Sequence, residues 1–414
     1  MKIAKFLTAG ALAVAFAGMA SAQTTIYITG STAFRPQTIS AILSLLGSSN
    51  ATSASPTLPP GSGYIFENSD SDVHKTNAQT FKGLTVNGTT PTASVIIKTS
   101  WSGSAAGIQA IATTGIVVNY LPVTGYTIPT DGTGSNKIGG TVNVLDPRDG
   151  TNAHESVTLS DIAMADNFQA ATPFNGTYLG HVYADLTDTD NIVGIVPFQW
   201  VKSKGAAAGI TNITPQIAQA QWTGTGKLPL SVYTGNPADT ADVYATGRNI
   251  DSGTRITAFA ETAIGIGSTV NQWRTDLEEN KYPATSVNGV PEVAGMGGES
   301  SGGKLADNTH MGKPGLAHSY VAYMSTGDAS TLVGNGGATL SYNGVSYTAP
   351  AQITEGVYTF WGYEHLFLRP SITSGIKFDT ASDLVAGIDA VPGIIRVSDM
   401  HVSRAVDGGT IFHN

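Results

Sequence analysis

The stretch from Gly247 to Arg255 reads Gly-Arg-Asn-Ile-Asp-Ser-Gly-Thr-Arg and brings two guanidinium groups, two hydroxyls and a flexible glycine amide within nine residues. A guanidinium offers a planar fork of N–H donors that matches a tetrahedral oxyanion. The helical pattern that starts at Ile256 predicts an N-cap at Ser252 or Thr254, and a helix N-terminus points hydroxyl and N–H groups at one spot. The stretch therefore has the donors of an anion site, although a capped helix with a surface arginine fits the same residues.

Two segments upstream each predict a strand, a Gly-Ser turn and a helix. In the first, a strand at Thr25–Thr29 leads through Gly30-Ser31-Thr32-Ala33 into a helix at Gln37–Leu46. In the second, a strand at Ala93–Thr99 leads into Gly103-Ser104 and a further helix. In α/β layering, parallel strands bring such helix N-termini to a shared edge of the sheet.

The remaining elements are predicted from apolar periodicity and helix caps. A short apolar strand within Thr158–Phe168 ends in a lone carboxylate, Asp166, for which a turn or loop cap is the local explanation. The apolar run Asn191–Trp200 predicts a strand that passes into a second domain. We also predict a polar loop at Gly47–Thr80, a helix capped by Thr214, strands at Pro229–Tyr233, Asp242–Thr246, His318–Met324 and Gly356–Leu368, with Glu364-His365 on an exposed strand face, and a helix at Ala381–Ile388.

Length and composition indicate an exported protein of two domains. The chain has 414 residues, only 12% of them charged, and no cysteine. Residues 1–22 have the basic start, apolar centre and Ala-Ser-Ala end of a secretory signal peptide. Removing its two lysines and no acids changes the formal charge from -9 to -11. Because the chain is acidic and lacks basic runs interleaved with aromatics, we expect no nucleic-acid partner.

A second kind of chemistry is suggested by Gly298-Glu299-Ser300-Ser301-Gly302, which matches the G-x-S-x-G pattern of a nucleophile elbow. Such an elbow needs a hydrophobic strand directly before it, and a glycine-rich stretch stands there instead. A Ser300-dependent extracellular hydrolase is therefore an alternative and not the main hypothesis. The eight histidines lack H-x-x-x-H spacing. We expect no metal, no cofactor and no enzymatic activity.

Four segments recur in an order that resembles the periplasmic phosphate-binding protein of the bacterial ABC phosphate transporter. They are Gly30-Ser31-Thr32-Ala33, Gly103-Ser104-Ala105-Ala106-Gly107-Ile108, Ala163-Met164-Ala165-Asp166 and Arg248-x-x-x-Ser252-Gly253-Thr254. In that family the corresponding turns converge on one dehydrated phosphate between two α/β lobes. The resemblance covers about residues 24–259 and fades after that.

The resemblance implies a set of phosphate-binding residues in this chain, namely Ser31, Thr32, Ala33, Ser104, Asp166, Arg248, Ser252, Gly253 and Thr254. Among them Asp166 sets the specificity, because a carboxylate only accepts hydrogen bonds and so requires an oxyanion that carries a proton. Phosphate has such a proton at neutral pH, whereas sulfate has none and would face a like charge. Arg255 has no partner in this scheme, and we expect it on the surface or where the lobes close.

The resemblance also implies a type 2 periplasmic-binding-protein-like fold, a Venus-flytrap of two α/β lobes with the ligand cleft between them. We expect a first lobe of residues 23–191 and 352–414, with an insertion at about 112–155, and a second lobe of residues 192–351. The protein would act in the periplasm, or be secreted, as a monomer that binds inorganic phosphate, with an ABC permease as its partner. A secreted structural or surface protein with a vestigial anion site remains a further alternative.

Overall fold

The computed structural model describes residues 23–66, 72–87, 90–121, 127–135, 157–276, 280–282, 286–287, 290–291 and 297–414. The predicted signal peptide lies outside the described residues, as do residues 122–126 and 136–155 of the predicted insertion. In the described part of the chain, no helix is long and apolar enough to cross a membrane.

The helices are α1 (Arg35–Leu45), α2 (Ser104–Ala112), α3 (Pro215–Thr223), α4 (Ser231–Thr234), α5 (Gly253–Glu261), α6 (Gly302–Ala306), α7 (Thr326–Gly334), α8 (Ala351–Thr354) and α9 (Ile376–Asp389), with 3-10 turns at Gln169–Ala171, Thr187–Thr189 and Val397–Asp399. The strands are β1 (Thr24–Gly30), β2 (Gly63–Phe66), β3 (Ala78–Asn87), β4 (Thr90–Ser100), β5 (Val118–Asn119), β6 (Gly134–Ser135), β7 (Val157–Thr158), β8 (Ile162–Ala165), β9 (Gly176–Tyr178), β10 (His181–Tyr183), β11 (Asp190–Lys202), β12 (Asn212–Ile213), β13 (Lys227–Pro229), β14 (Asp242–Ala245), β15 (Trp273–Arg274), β16 (Asn280–Lys281), β17 (Ser286–Val287), β18 (Val290–Pro291), β19 (Ser319–Ser325), β20 (Ala338–Thr339), β21 (Ser341–Tyr342), β22 (Trp361–Leu368), β23 (Val402–Ser403) and β24 (Phe412–His413).

One large mixed sheet runs through the molecule in the order β13-β14-β19-β11-β22-β8-β1-β4-β3-β2-β6, with β20 beside β11. In its first half, β1 is parallel to both β4 and β8. Their carboxyl ends therefore meet at one edge, which is where the N-termini of α1 and α2 and the carboxylate after β8 also lie. Both predicted strand, turn and helix units are confirmed.

The long strand β11 joins the two halves of the sheet. Its residues 190–197 pair with β22, and its residues 198–202 pair with β19. On the far side of β19, β14 runs parallel to it and leads towards Arg248 and α5. The predicted two-lobed α/β fold is thus confirmed, because each half carries its own parallel strands and helices and one strand is shared.

The aromatic core of the second half packs around Trp200 on β11. Its ring centroid lies 5.3 Å from that of Trp222 on α3, 5.7 Å from that of Tyr323 on β19 and 5.3 Å from that of Phe360. Buried aromatic pairs of this kind add about 0.5–1.5 kcal/mol each beyond the area they bury. These contacts fix α3 on the sheet. At the N-terminus of α3 the Thr214 hydroxyl accepts the amide of Ile217, as the predicted cap.

Two local predictions are wrong. The predicted polar loop Gly47–Thr80 contains β2 and the start of β3, because Gly63–Phe66 pairs antiparallel with residues 79–82 of β3. The predicted strand Pro229–Tyr233 is instead the end of β13 followed by the single turn α4, which Gly235 closes with a φ of 71°.

Candidate anion site

The turn between β1 and α1 is held by Ser31. Its amide donates to the carbonyl of Met164 at 2.7 Å, and its hydroxyl accepts the amide of Phe34 at 3.2 Å. Gly30 has a φ of +119°, and a Cβ there would lie 1.9 Å from the Met164 carbonyl oxygen, so glycine is required. The amides of Thr32 and Ala33 make no hydrogen bond to any residue that the structure describes. They remain available as donors at the start of α1.

Ser104 and Asp166 meet at the same edge although they are 62 residues apart in sequence. The Ser104 hydroxyl donates to the carboxylate of Asp166 and accepts the Asp166 amide at 3.2 Å. Gly103 precedes them with a φ of +111° and donates its amide to Gly30 at 2.9 Å, which ties α2 to the first turn. Hydrogen bonds therefore hold the two upstream turns and Asp166 together.

The start of α5 packs directly against this structure. Ser252 is the N-cap, because its hydroxyl accepts the amide of Arg255 at 3.3 Å. A Cβ on Gly253 would lie 1.6 Å from Oδ1 of Asp166 and 2.6 Å from Oγ of Ser104. The carbonyl of Gly253 accepts the side-chain amide of Asn167 at 3.2 Å. Only a residue without a side chain brings this helix N-terminus so close to the carboxylate.

Arg248 reaches from the loop before α5 to the turn before α1. Its Nη2 donates to the hydroxyl of Thr32 at 3.3 Å and to the carbonyl of Ser300 at 3.0 Å, and its Nε donates to the carbonyl of Glu299 at 3.1 Å. The residue is only 1% exposed. Two backbone carbonyls thus fix the plane of the guanidinium, and the contact with Thr32 crosses 216 positions of sequence.

The loop that orients Arg248 is anchored by the buried side chain of Glu299. Its Oε1 accepts the Tyr282 hydroxyl at 2.7 Å and lies 3.2 Å from Nε2 of His310, while its Oε2 lies 3.0 Å from Nζ of Lys304. Burial alone would raise the pKa of Glu299, but His310, Lys304 and the Tyr282 hydroxyl outweigh it and lower that pKa to about 2. Sequence reasoning missed this anchor, and no local spacing marks it.

The charges of the site are strongly perturbed by burial. Desolvation raises the pKa of Asp166 to about 6, against the opposing effects of the Ser104 hydrogen bond and the positive charge of Arg248. Desolvation likewise lowers the pKa of Arg248, while nearby carboxylates, Asp328 and Asp166 among them, oppose this shift. A carboxylate in such a setting gains from a partner that brings its own proton.

One prediction about residues in this region is wrong, and one of the two alternatives for Arg255 is excluded. Glu364 and His365 do not lie on an exposed strand face, because β22 is covered on both sides and both residues are fully buried. Arg255 does not lie on the surface, because it is 5% exposed and its Nη1 donates to the carbonyl of Arg248 at 3.0 Å. Arg255 therefore supports the backbone of the residue that carries the site's positive charge.

The residues predicted as phosphate ligands all lie at this junction of three helix N-termini. Those that contact one another across the chain are Thr32 with Arg248, and Ser104 and Gly253 with Asp166. Ala33 and Thr254 stand in the first turns of their helices, and Ser31 and Ser252 use their hydroxyls to accept local backbone amides.

Ser300 contributes to the site through its backbone. Its carbonyl accepts Arg248, and the next residue, Ser301, caps α6 by accepting the amide of Lys304 at 3.1 Å. Among the described residues, no histidine forms a hydrogen bond with the Ser300 hydroxyl. That part of the chain also holds no group of His, Cys, Asp and Glu arranged for a metal ion.

Comparison with known proteins finds similar structures but no sequence family. No protein-family model and no curated protein matches the chain. An ABC-type phosphate transport receptor from Vibrio cholerae is 12% identical, with 90% of this chain and 100% of that one covered and a TM-score of 0.44. A protein from Clostridium perfringens, described as a phosphate ABC transporter substrate-binding protein and holding phosphate, is 12% identical, with coverage of 90% and 100% and a TM-score of 0.43. A phosphate-binding protein from Stenotrophomonas maltophilia is 12% identical, with coverage of 88% and 83% and a TM-score of 0.39. These proteins are of the class that the sequence motifs resemble.

Proposed function

We propose that this chain is an exported solute-binding protein that binds inorganic phosphate in the cleft between its two lobes. The observation that carries the proposal is the junction of Arg248 with Thr32 and of Gly253 with Asp166 and Ser104. It brings one cation, several hydroxyls and the starts of three helices to one buried spot, and helix N-termini favour a bound anion. Inorganic phosphate is small enough to be surrounded by donors of this kind.

Asp166 makes phosphate the preferred anion. A buried carboxylate beside the anion repels any ligand that cannot donate a hydrogen bond to it. Phosphate near neutral pH keeps at least one proton and can donate to Asp166, whereas sulfate is fully ionised. Asp166 therefore acts mainly by rejecting the unprotonated anion, and the amides and Arg248 supply most of the attraction.

The proposed division of the chain is a first lobe of residues 23–191 and 352–414 and a second lobe of residues 192–351. Closure would then bring Arg248 and α5 of the second lobe onto the turns of the first, by a hinge in the shared strand β11. We further propose that the protein works in the periplasm as a monomer and passes phosphate to an ABC permease. The predicted signal peptide supports export.

Isothermal titration of the purified mature chain with phosphate and with sulfate tests the proposal. We expect phosphate to bind at least about 100-fold more tightly than sulfate, because an unpaired buried charge costs about 3 kcal/mol. Asp166→Asn should reduce this ratio to about tenfold or less, since an amide can donate to sulfate. The exposed carboxylate Asp185, which accepts Thr187, gives the matched control Asp185→Asn. Absence of phosphate binding, or equal affinity for both anions, would exclude the proposed function.

A further inference from the structure

A second carboxyl group, that of Glu364, faces the same site from the centre of the sheet. Strand β22 pairs antiparallel with β8, with His365 opposite Ala165, so the next step of this register brings Glu364 opposite Asp166. Directly opposed residues of an antiparallel pair project to the same face. The negative charge of Asp166 acts on the Glu364 carboxyl, and the Ser31 hydroxyl also lies close enough to interact with that carboxyl.

The surroundings of Glu364 offer its carboxyl no stable partner. The side chain is 0% exposed, and neither carboxyl oxygen makes a hydrogen bond of accepted distance and angle among the described residues. On the other neighbouring strand Glu364 pairs with Gly194, which has no side chain, and the side chains of Ile394 and Phe34 lie against this glycine. Because the Ser31 hydroxyl acts on this carboxyl, the carboxyl lies near the β1–α1 turn that begins the anion site.

The charges around Glu364 disfavour its ionisation. Asp166 faces it from the end of β8, and Arg248 acts on Asp166 from the opposite side of the cleft. His365, next in sequence, bonds to Asp190 at 2.7 Å on the other face of the sheet, and Asp407 lies close enough to interact with both His365 and Asp166. Desolvation first, and the charge of Asp166 second, hold the pKa of Glu364 well above its usual range, although the Ser31 hydroxyl opposes them.

We propose that Glu364 is a further specificity-determining residue of the anion site, a neutral carboxylic acid that donates a hydrogen bond to the bound phosphate beside the accepting carboxylate of Asp166. This inference rests on the proposed phosphate site. The two carboxyls then act as a pair with opposite roles, one donor and one acceptor, which suits an anion that has both bare and protonated oxygens. Ionisation of Glu364 places a second negative charge at the site and weakens binding.

The test compares phosphate binding by the wild type, Glu364→Gln and Glu364→Leu, measured by titration calorimetry at pH 7 and pH 9.5. Gln keeps a donor and never ionises, whereas Leu keeps the volume without a donor. At pH 7 we expect Glu364→Gln to bind within about threefold of the wild type and Glu364→Leu to bind at least about tenfold more weakly. At pH 9.5 the phosphate affinity of the wild type should be at least about tenfold lower than that of Glu364→Gln. The control Glu355→Gln changes an exposed glutamate that pairs with His401 and should follow the wild type at both values.

Each result decides between the two proposals. If the wild type binds phosphate and all three chains keep the same affinity at both pH values, the role of Glu364 is refuted and the phosphate site stands. If the wild type binds no phosphate at pH 7, both proposals fail. If circular dichroism shows that Glu364→Leu does not fold, the phosphate affinities of the wild type and Glu364→Gln at the two pH values still decide whether Glu364 has the proposed role.

Discussion

Replacement of Gly253 by alanine should abolish high-affinity phosphate binding while the protein still folds. The added Cβ would lie 1.6 Å from Oδ1 of Asp166, which is 1.4 Å short of the 3.0 Å below which real Cβ contacts essentially never occur. It would also lie 2.2 Å from Oδ1 of Asn167 and 2.6 Å from Oγ of Ser104. Because three atoms from the opposite side of the cleft are too close, one side-chain rotation cannot relieve the clash, and α5 must move away.

The loss follows from the hydrogen bonds that such a shift breaks. If the α5 amides and Asp166 no longer reach the same anion, two hydrogen bonds to charged groups are lost, each worth about 1.5–3 kcal/mol. Affinity should therefore fall by at least about 100-fold. The ligand-free chain escapes the clash if its lobes separate, so its unfolding temperature should change little.

Calorimetry and thermal unfolding with and without phosphate measure both effects. A ligand at 100 times its Kd stabilises a protein by about 2.7 kcal/mol, so the wild type should unfold at a higher temperature with phosphate and Gly253→Ala should show no such shift. A Cβ added at Gly267 would meet no atom of the described residues within 4 Å, and the φ of Gly267 lies outside the left-handed region, so Gly267→Ala is the matched control. Wild-type affinity in Gly253→Ala would contradict the close approach of α5 to Asp166.

Two further predictions concern the charges of the site. Because burial raises the pKa of Asp166 to about 6, its carboxyl group is ionised above that pH and increasingly protonated below it. A protonated Asp166 can donate a hydrogen bond to sulfate, so the preference for phosphate over sulfate should decrease between pH 7.5 and pH 5. Competition titrations that give the same ratio of phosphate to sulfate affinity at both pH values would contradict this. Glu299→Gln removes the negative charge that interacts with Lys304 and His310, which should loosen the loop that orients Arg248 and weaken phosphate binding about tenfold. The control is Asp276→Asn, which breaks an ion pair with Arg274. Equal losses of phosphate affinity in both variants would show that Glu299 has no special role.

The parts of the fold that local signals determine could be predicted from the sequence. Strand β1 and helix α1 follow from apolar periodicity, and Ser252 caps α5 because a hydroxyl before a helix accepts its early amides. The same holds for Thr214 and Pro215 at α3. These signals act within a few residues, so no knowledge of the remainder of the chain is needed.

The buried charges could not be predicted, because burial depends on neighbours that are remote in sequence. Glu364 stands in an apolar strand, and whether its face meets solvent depends on which elements pack over that face of the sheet. Glu299 belongs to a pattern that suggests a catalytic serine, but its role depends on His310 and Lys304 coming together around it. For Arg255 the sequence leaves open the surface or the place where the lobes close, and only its contact with the carbonyl of Arg248 excludes the surface.

The proposed use of helix N-termini as donors to the anion has a consequence for how far sequences of this kind can diverge. An amide N–H belongs to the backbone, so almost any residue at positions such as Ala33 or Thr254 supplies the same donor. In the proposed phosphate site, strict demands fall on few positions: Gly253, where no side chain fits, Asp166 as the proposed acceptor, and Arg248 as the proposed source of positive charge. Substitutions elsewhere could then accumulate without changing what the proposed site binds.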